Sequence, residues 1–109
     1  MTVQELATAL GAEVLAGSDG LEKQVTGGYA GDLLSWVMGR AQEGDAWVTV
    51  MGNVNAIAVA VLADIACIVL ADSSALDDNA AERANMQGVP VLRSAENIFT
   101  LCNRIATLL

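Results

Sequence analysis

Apolar residues along this chain recur at two spacings, and the switches between them mark out its elements. Thr2-x-x-Glu5 followed by Leu6, Ala9 and Leu10 reads as a capping box that opens a helix over Val3–Leu10, stopping at Gly11. Glu13-Val14-Leu15 predicts a short strand, Gly17-Ser18-Asp19-Gly20 a turn, and Val25–Tyr29 a second strand, with Gly27-Gly28 expected to make a turn or bulge. Asp32 is then expected to cap a helix whose apolar stripe is Leu33, Leu34, Val37, Met38 and Ala41, closed by Gln42–Asp45. From Ala46 the pattern alternates regularly. Strands are predicted over Ala46–Val50, Ala66–Ala71 and Val89–Leu92, and helices over Asn55–Asp64 and Asp77–Gln87. A final helix, capped by Ser94, carries Ile98, Phe99, Cys102, Ile105 and Ala106 on one face.

Such alternation predicts a single α/β domain with a largely parallel or mixed sheet flanked by helices. The unbroken run Cys67-Ile68-Val69-Leu70 fits an inner strand covered on both faces. The segment Asn55–Asp64 is unusual, because only Ala, Ile, Val and Leu stand between its ends. A helix without a polar side is expected to be buried nearly all round. A domain of 109 residues has little material for covering it, so a second copy of the chain is expected to cover one side, most simply in a two-fold dimer.

Composition chiefly removes chemistries. The chain has no His, which excludes imidazole metal sites and Ser-His or Cys-His nucleophile pairs. Thirteen acidic residues against five basic ones give a net charge of −8, which would repel a phosphate backbone, so no nucleic-acid binding is expected. The longest apolar stretch, Ala56–Leu70, is interrupted by Asp64 and falls short of a membrane span. With no secretory leader visible after Met1, the expectation is a cytoplasmic protein without membrane contact. Cys67 and Cys102 lack metal or redox spacing and read as small buried hydrophobes.

No segment supplies a nucleophile or a tuned acid–base pair, so no catalytic residue, metal or cofactor is expected. Gly27-Gly28 lacks the context of a phosphate loop, and the aspartates are too scattered for a cation site. In a parallel sheet, ligands bind beyond the carboxyl ends of the strands. The loops there would carry Gly52, Asn53, Asn55, Ser73 and Arg93, which are the candidate ligand-binding residues. The alternative role for Asn53 and Asn55 is helix capping alone. Trp36 falls off its helix's apolar stripe and is a candidate anchor for a protein partner.

Several strings resemble a known family when taken in order. They are Gly27–Ser35, Glu43–Val50, Asn53–Ala60, Ala66–Leu70 and Gly88–Arg93. Together they resemble the stand-alone DRTGG-domain proteins of bacteria. That resemblance implies an α/β fold like the N-terminal domain of HPr kinase/phosphorylase, itself similar to the N-terminal domain of the Mur ligases. It implies a regulatory role in a homodimer, with a nucleotide or phosphorylated metabolite as ligand. The alternative is a protein-interaction adaptor tied to a hydrogenase or carbon-metabolism system. The family's kinase relatives keep their phosphate loop in a separate catalytic half, so kinase activity is not implied. Where relatives tend to show a Thr-Gly-Gly-like loop after the Ile68–Leu70 strand, this chain has Ala71-Asp72-Ser73-Ser74.

Overall fold

A computed structural model describes residues 1–109. Five strands, β1 (Glu13–Ala16), β2 (Gly27–Ala30), β3 (Asp45–Thr49), β4 (Cys67–Leu70) and β5 (Val91–Arg93), form one sheet in the order β1-β5-β4-β3-β2. β2 to β5 are parallel, and β1 runs antiparallel on the β5 edge with a bulge between Val14 and Ala16. The sheet is therefore mixed, and the domain is α/β as its pattern predicts.

The helices are α1 (Val3–Leu10), α2 (Leu34–Arg40), α3 (Val54–Leu62), α4 (Asp78–Gln87) and α5 (Ile98–Leu108). α2, α3 and α4 each connect neighbouring parallel strands, and the strands advance across the sheet in one direction. Right-handed crossovers then put all three helices on the same face. α1 and α5 cover the other. Side chains on the inner strands alternate between these layers. Ala46, Val48, Cys67, Val69 and Leu92 pack with α1 and α5. Trp47, Ile68, Leu70 and Val91 pack toward α3 and α4.

α1 begins as its capping box predicts. The Thr2 hydroxyl accepts from the Glu5 N–H at 3.1 Å, and Glu5 Oε1 accepts from the Thr2 N–H at 2.8 Å. The bond from the Thr2 N–H favours the ionised form and holds the Glu5 carboxyl below its ordinary value. Thr2→Ala should cost about 1 kcal/mol and lower Tm by about 4 °C in a domain of this size, read by thermal denaturation.

Three local expectations give way, two to tertiary partners and one to a bond with the next residue but one. Asp32 does not cap α2; its Oδ1 accepts from the Thr49 hydroxyl at 2.7 Å and from the Val50 N–H at 3.0 Å, and Leu33 takes the cap position without a side-chain bond. Ser94 does not cap α5; it accepts from the Glu96 N–H, and Asn97 caps the helix by accepting from the Thr100 N–H at 2.8 Å. Gly27-Gly28 is neither turn nor bulge but regular edge strand, in register with Asp45 and Ala46.

The expectation that α3 has no water-facing side is corrected too. Ala56, Ile57, Val59 and Ala60 are buried, whereas Ala58 is exposed, Val61 is 43% exposed and Leu62 is 70% exposed. Since Asn55 on the first turn is the one polar residue of α3, the rest of the side that escapes the sheet, α2 and α4 is apolar. The apolar stripe foreseen for α2 is likewise narrower, with only Val37 buried and Leu33 and Met38 largely exposed.

Cys67 lies in the core on β4, where burial pushes its thiol up to about 12. In the unfolded chain the thiol ionises near its ordinary value of 9.0. Above that pH the unfolded state releases a proton that the folded state keeps, so stability falls as pH rises toward 12. Denaturant titrations across the alkaline range should show this loss, and Cys67→Ala should flatten it.

Candidate functional site

At the carboxyl ends of β4 and β5 the chain departs toward opposite faces. The loop after β4 enters α4 on the α3 side, and the loop after β5 enters α5 on the other. Such a divergence is where open parallel sheets place ligands. Here the two loops are stitched together. The Asp72 N–H donates to the Glu96 carbonyl and the Ser73 N–H to the Ser94 carbonyl, both at 2.9 Å. The crevice therefore opens sideways, toward the start of β1, as a shallow cleft of about 390 Å³ lined among others by Gly11, Glu13, Ser73, Arg93, Ser94 and Glu96.

The cleft combines one exposed acid with one reachable base. Arg93 NH2 lies 3.1 Å from Glu13 Oε1, their side chains being 31% and 62% exposed. A pair this wet contributes at most about 1 kcal/mol, so an arriving anion can displace Glu13 from the guanidinium. Arg104 holds Glu96 at 2.8 Å on the far wall and also donates to the Ala9 carbonyl. No buried side-chain polar atom lacks a partner, so binding here would use these exposed groups. No group of three or more Cys, Asp or Glu side chains is placed to hold a metal ion.

The floor of the cleft is strained. Asp72 and Ser73 both sit at φ +54°, a left-handed conformation that costs a non-glycine residue about 1–2 kcal/mol. That is the segment where a Gly-Gly-like loop was expected of relatives, and the backbone conformation is one glycine would adopt without strain.

Of the five residues singled out in the sequence, Ser73 and Arg93 meet in this cleft. Gly52 and Asn53 lie at the neighbouring β3 loop and are engaged in structure. A Cβ on Gly52 would stand 1.9 Å from the Ala75 carbonyl oxygen, and its own carbonyl accepts from the Asp77 N–H at 2.8 Å. Asn53 caps α3 by accepting from the Ala56 N–H at 2.9 Å. Asn55 is exposed on the first turn of α3. Sequence reasoning missed Glu13, because its position opposite Arg93 depends on an edge pairing across 80 residues. A wider depression of about 440 Å³ lies at the opposite end of the sheet, among Lys23, Glu43 and Asp64. The rim has the better geometry for a ligand, since the amino termini of α3, α4 and α5 all point to it.

Comparison with known proteins bears on the fold. The chain is similar to the CBS and DRTGG domains of the regulatory region of Clostridium perfringens pyrophosphatase, a structure complexed with the activator diadenosine tetraphosphate. The TM-score is 0.74 at 12% identity, with 95% of this chain aligned to 45% of that one, so the chain spans less than half of its neighbour. No curated protein matches the chain. The family model described as DRTGG domain matches residues 5–108, and the chain thus belongs to the DRTGG domain family.

Proposed function

We propose that this chain is a non-catalytic, cytoplasmic regulatory module that senses a nucleotide or phosphorylated metabolite at the Ser73–Arg93 cleft and works as a homodimer. The observation that carries this reading is the position of the loop after β4. Ser73 in that loop lines the cleft, and four residues later Asp77 begins the cap of α4. α4 packs beside α3, and Met86 on its outer side is exposed. Of the eleven large apolar side chains that are exposed, Leu33, Trp36, Met38, Val61, Leu62 and Met86 all belong to this one layer. A ligand that relaxes the strained Asp72-Ser73 backbone would shift α4 and so change how two copies meet.

A nucleotide is favoured because the pyrophosphatase regulatory region, which shares the fold, was captured with one. Phosphate would take the place beside Arg93 now held by Glu13. On this reading the domain resembles the N-terminal domain of HPr kinase/phosphorylase in being an accessory without a phosphate loop of its own.

Thermal-shift screening against adenine nucleotides, diadenosine tetraphosphate and sugar phosphates tests the proposal. A ligand at 100 times its Kd adds about 2.7 kcal/mol, a rise of about 10 °C in Tm, and Arg93→Gln should abolish it. No shift with any compound contradicts the sensing role.

A second reading, a protein-interaction adaptor for a hydrogenase or carbon-metabolism system, is favoured by Trp36. Its ring is 53% exposed and carries the Arg40 guanidinium 3.8 Å from the ring centroid. Trp and Arg together are the residues most often found at the centre of protein interfaces. Loss of a stable heteromeric partner in Trp36→Ala would support this reading over the first.

A further inference from the structure

The Ser73–Arg93 cleft sorts its hydrogen-bonding groups by wall. One wall is the chain at Leu10, Gly11 and Glu13. It offers acceptors, because α1 ends there with its last carbonyls and Glu13 adds a carboxylate. Its backbone donors are spent: the Gly11 N–H donates to the Thr8 carbonyl at 3.1 Å and the Ala12 N–H to the Ala7 carbonyl at 2.9 Å.

The donors stand on the other wall. Arg93 bonds Glu13 through NH2, which leaves its other N–H groups free. Ser94 is 9% exposed; its Oγ accepts from the Glu96 N–H at 3.1 Å, and its own proton goes to no acceptor. A buried donor without an acceptor, on the wall of a cleft, points to a ligand that accepts. The backbone adds little to this pair. The N–H groups of Ser73, Ser94 and Glu96 are already given to the Ser94 carbonyl, the Leu70 carbonyl and Ser94 Oγ. Loops that cradle a chain of phosphates do so with successive free N–H groups. Charge sets the same limit. Of the five basic residues Arg93 alone lines the cleft, Arg104 being engaged with Glu96, and Glu13 competes for it.

We infer that the cleft takes a single phosphate esterified to a carrier that bears hydroxyls, and that it rejects chains of phosphates. The inference rests on the sensing role proposed for this cleft and narrows its ligand. The phosphate oxygens would accept from Arg93 and from the Ser94 hydroxyl. Glu13, displaced from the guanidinium, would accept from the hydroxyls of the carrier, such as those of a sugar. A second or third phosphate would find no second cation, and it would face the Glu13 carboxylate and the carboxyl end of α1.

Isothermal titration calorimetry on the full chain tests this, at constant ionic strength and without divalent cations. AMP and ribose 5-phosphate are compared with ATP and diadenosine tetraphosphate. Each monophosphate is expected to bind about tenfold tighter than either polyphosphate. Equal affinity for AMP and ribose 5-phosphate supports recognition through sugar and phosphate alone, and tighter binding of AMP supports it with a contact to the base. Ser94→Ala should weaken the monophosphates about tenfold, the loss of a bond to a charged group. Glu13→Gln, at a side chain 62% exposed, should keep the fold and narrow the gap between monophosphate and polyphosphate. A polyphosphate that binds as tightly as the monophosphates, or a gap unchanged in Glu13→Gln, overturns the inference and leaves the sensing role standing. Binding that survives Arg93→Gln lies elsewhere and overturns it too. If none of the four compounds binds, the sensing role fails and the inference falls with it.

Discussion

Replacing Trp47 by alanine is expected to bring the domain close to unfolding at room temperature. Trp47 is the largest fully buried side chain, standing on the central part of β3 between the sheet and the α2–α3 layer. Its loss removes a large buried aromatic surface and leaves a cavity that small alanine neighbours on α3 cannot fill, a change costing about 4 kcal/mol. The same substitution removes the Nε1–H bond to the Gly31 carbonyl at 2.8 Å, which ties the end of β2 to β3 just before the turn into α2. A domain of this kind has a total stability of only about 5–15 kcal/mol. Tm should therefore fall by about 15 °C or more. Trp47→Phe separates the two contributions, since it keeps most of the ring and loses the bond; its cost should be about 1–2 kcal/mol. Urea denaturation followed by far-ultraviolet circular dichroism measures both. A loss under 1 kcal/mol in the alanine variant would mean that the core is not centred on β3.

The second large effect is expected at Gly52→Ala. The added methyl would stand 1.9 Å from the Ala75 carbonyl oxygen and 2.9 Å from its carbon, both of them backbone. No side chain can swing away to relieve such a clash, so the loop leading into α4 must move. That movement breaks the bond from the Asp77 N–H to the Gly52 carbonyl, at the residue where α4 begins. Overpacking against backbone costs about 3 kcal/mol. The variant is informative beyond its stability because the displaced segment includes Ser73 and Ser74. In the folded fraction, any ligand response at the Ser73–Arg93 cleft should weaken along with Tm. Gly39→Ala is the control: nothing lies within 4 Å of a Cβ there, and alanine favours the helix, so it should be neutral or slightly stabilising.

These residues also show where the chain could be read without its structure. The capping box at Thr2 and Glu5 and the left-handed Gly88 after α4 are local devices, and they behave as their neighbours in sequence dictate. The unbroken run over β4 announced an inner strand because both faces of that strand need apolar partners. Asp32 and Ser94 look like caps in sequence, yet Thr49, distant in sequence, claims Asp32, and Ser94 accepts instead from the N–H of Glu96 two residues on while Asn97 takes the cap. α3 failed for a different reason. Beyond Asn55 the helix is made only of Ala, Ile, Val and Leu and has no polar residue to mark its outer side, so burial of Ile57 and exposure of Leu62 follow from the positions of α2, α4 and the sheet. At the rim, Ser73 and Arg93 were legible from the loop rule for parallel sheets. Glu13 was not, because β1 joins the sheet antiparallel at the far edge.

The exposed apolar side of α2 and α3 is the part of the molecule on which the regulatory reading turns. Light scattering coupled to gel filtration tests it most directly, with the native chain beside Leu62→Glu. Leu62 is 70% exposed, so glutamate there leaves the fold intact while placing a charge on that face. The account predicts twice the chain mass of 11.2 kDa for the native protein and a single chain mass for the variant. A native protein that elutes as a folded monomer at sub-millimolar concentration, or a Leu62→Glu variant that remains a dimer, would contradict it.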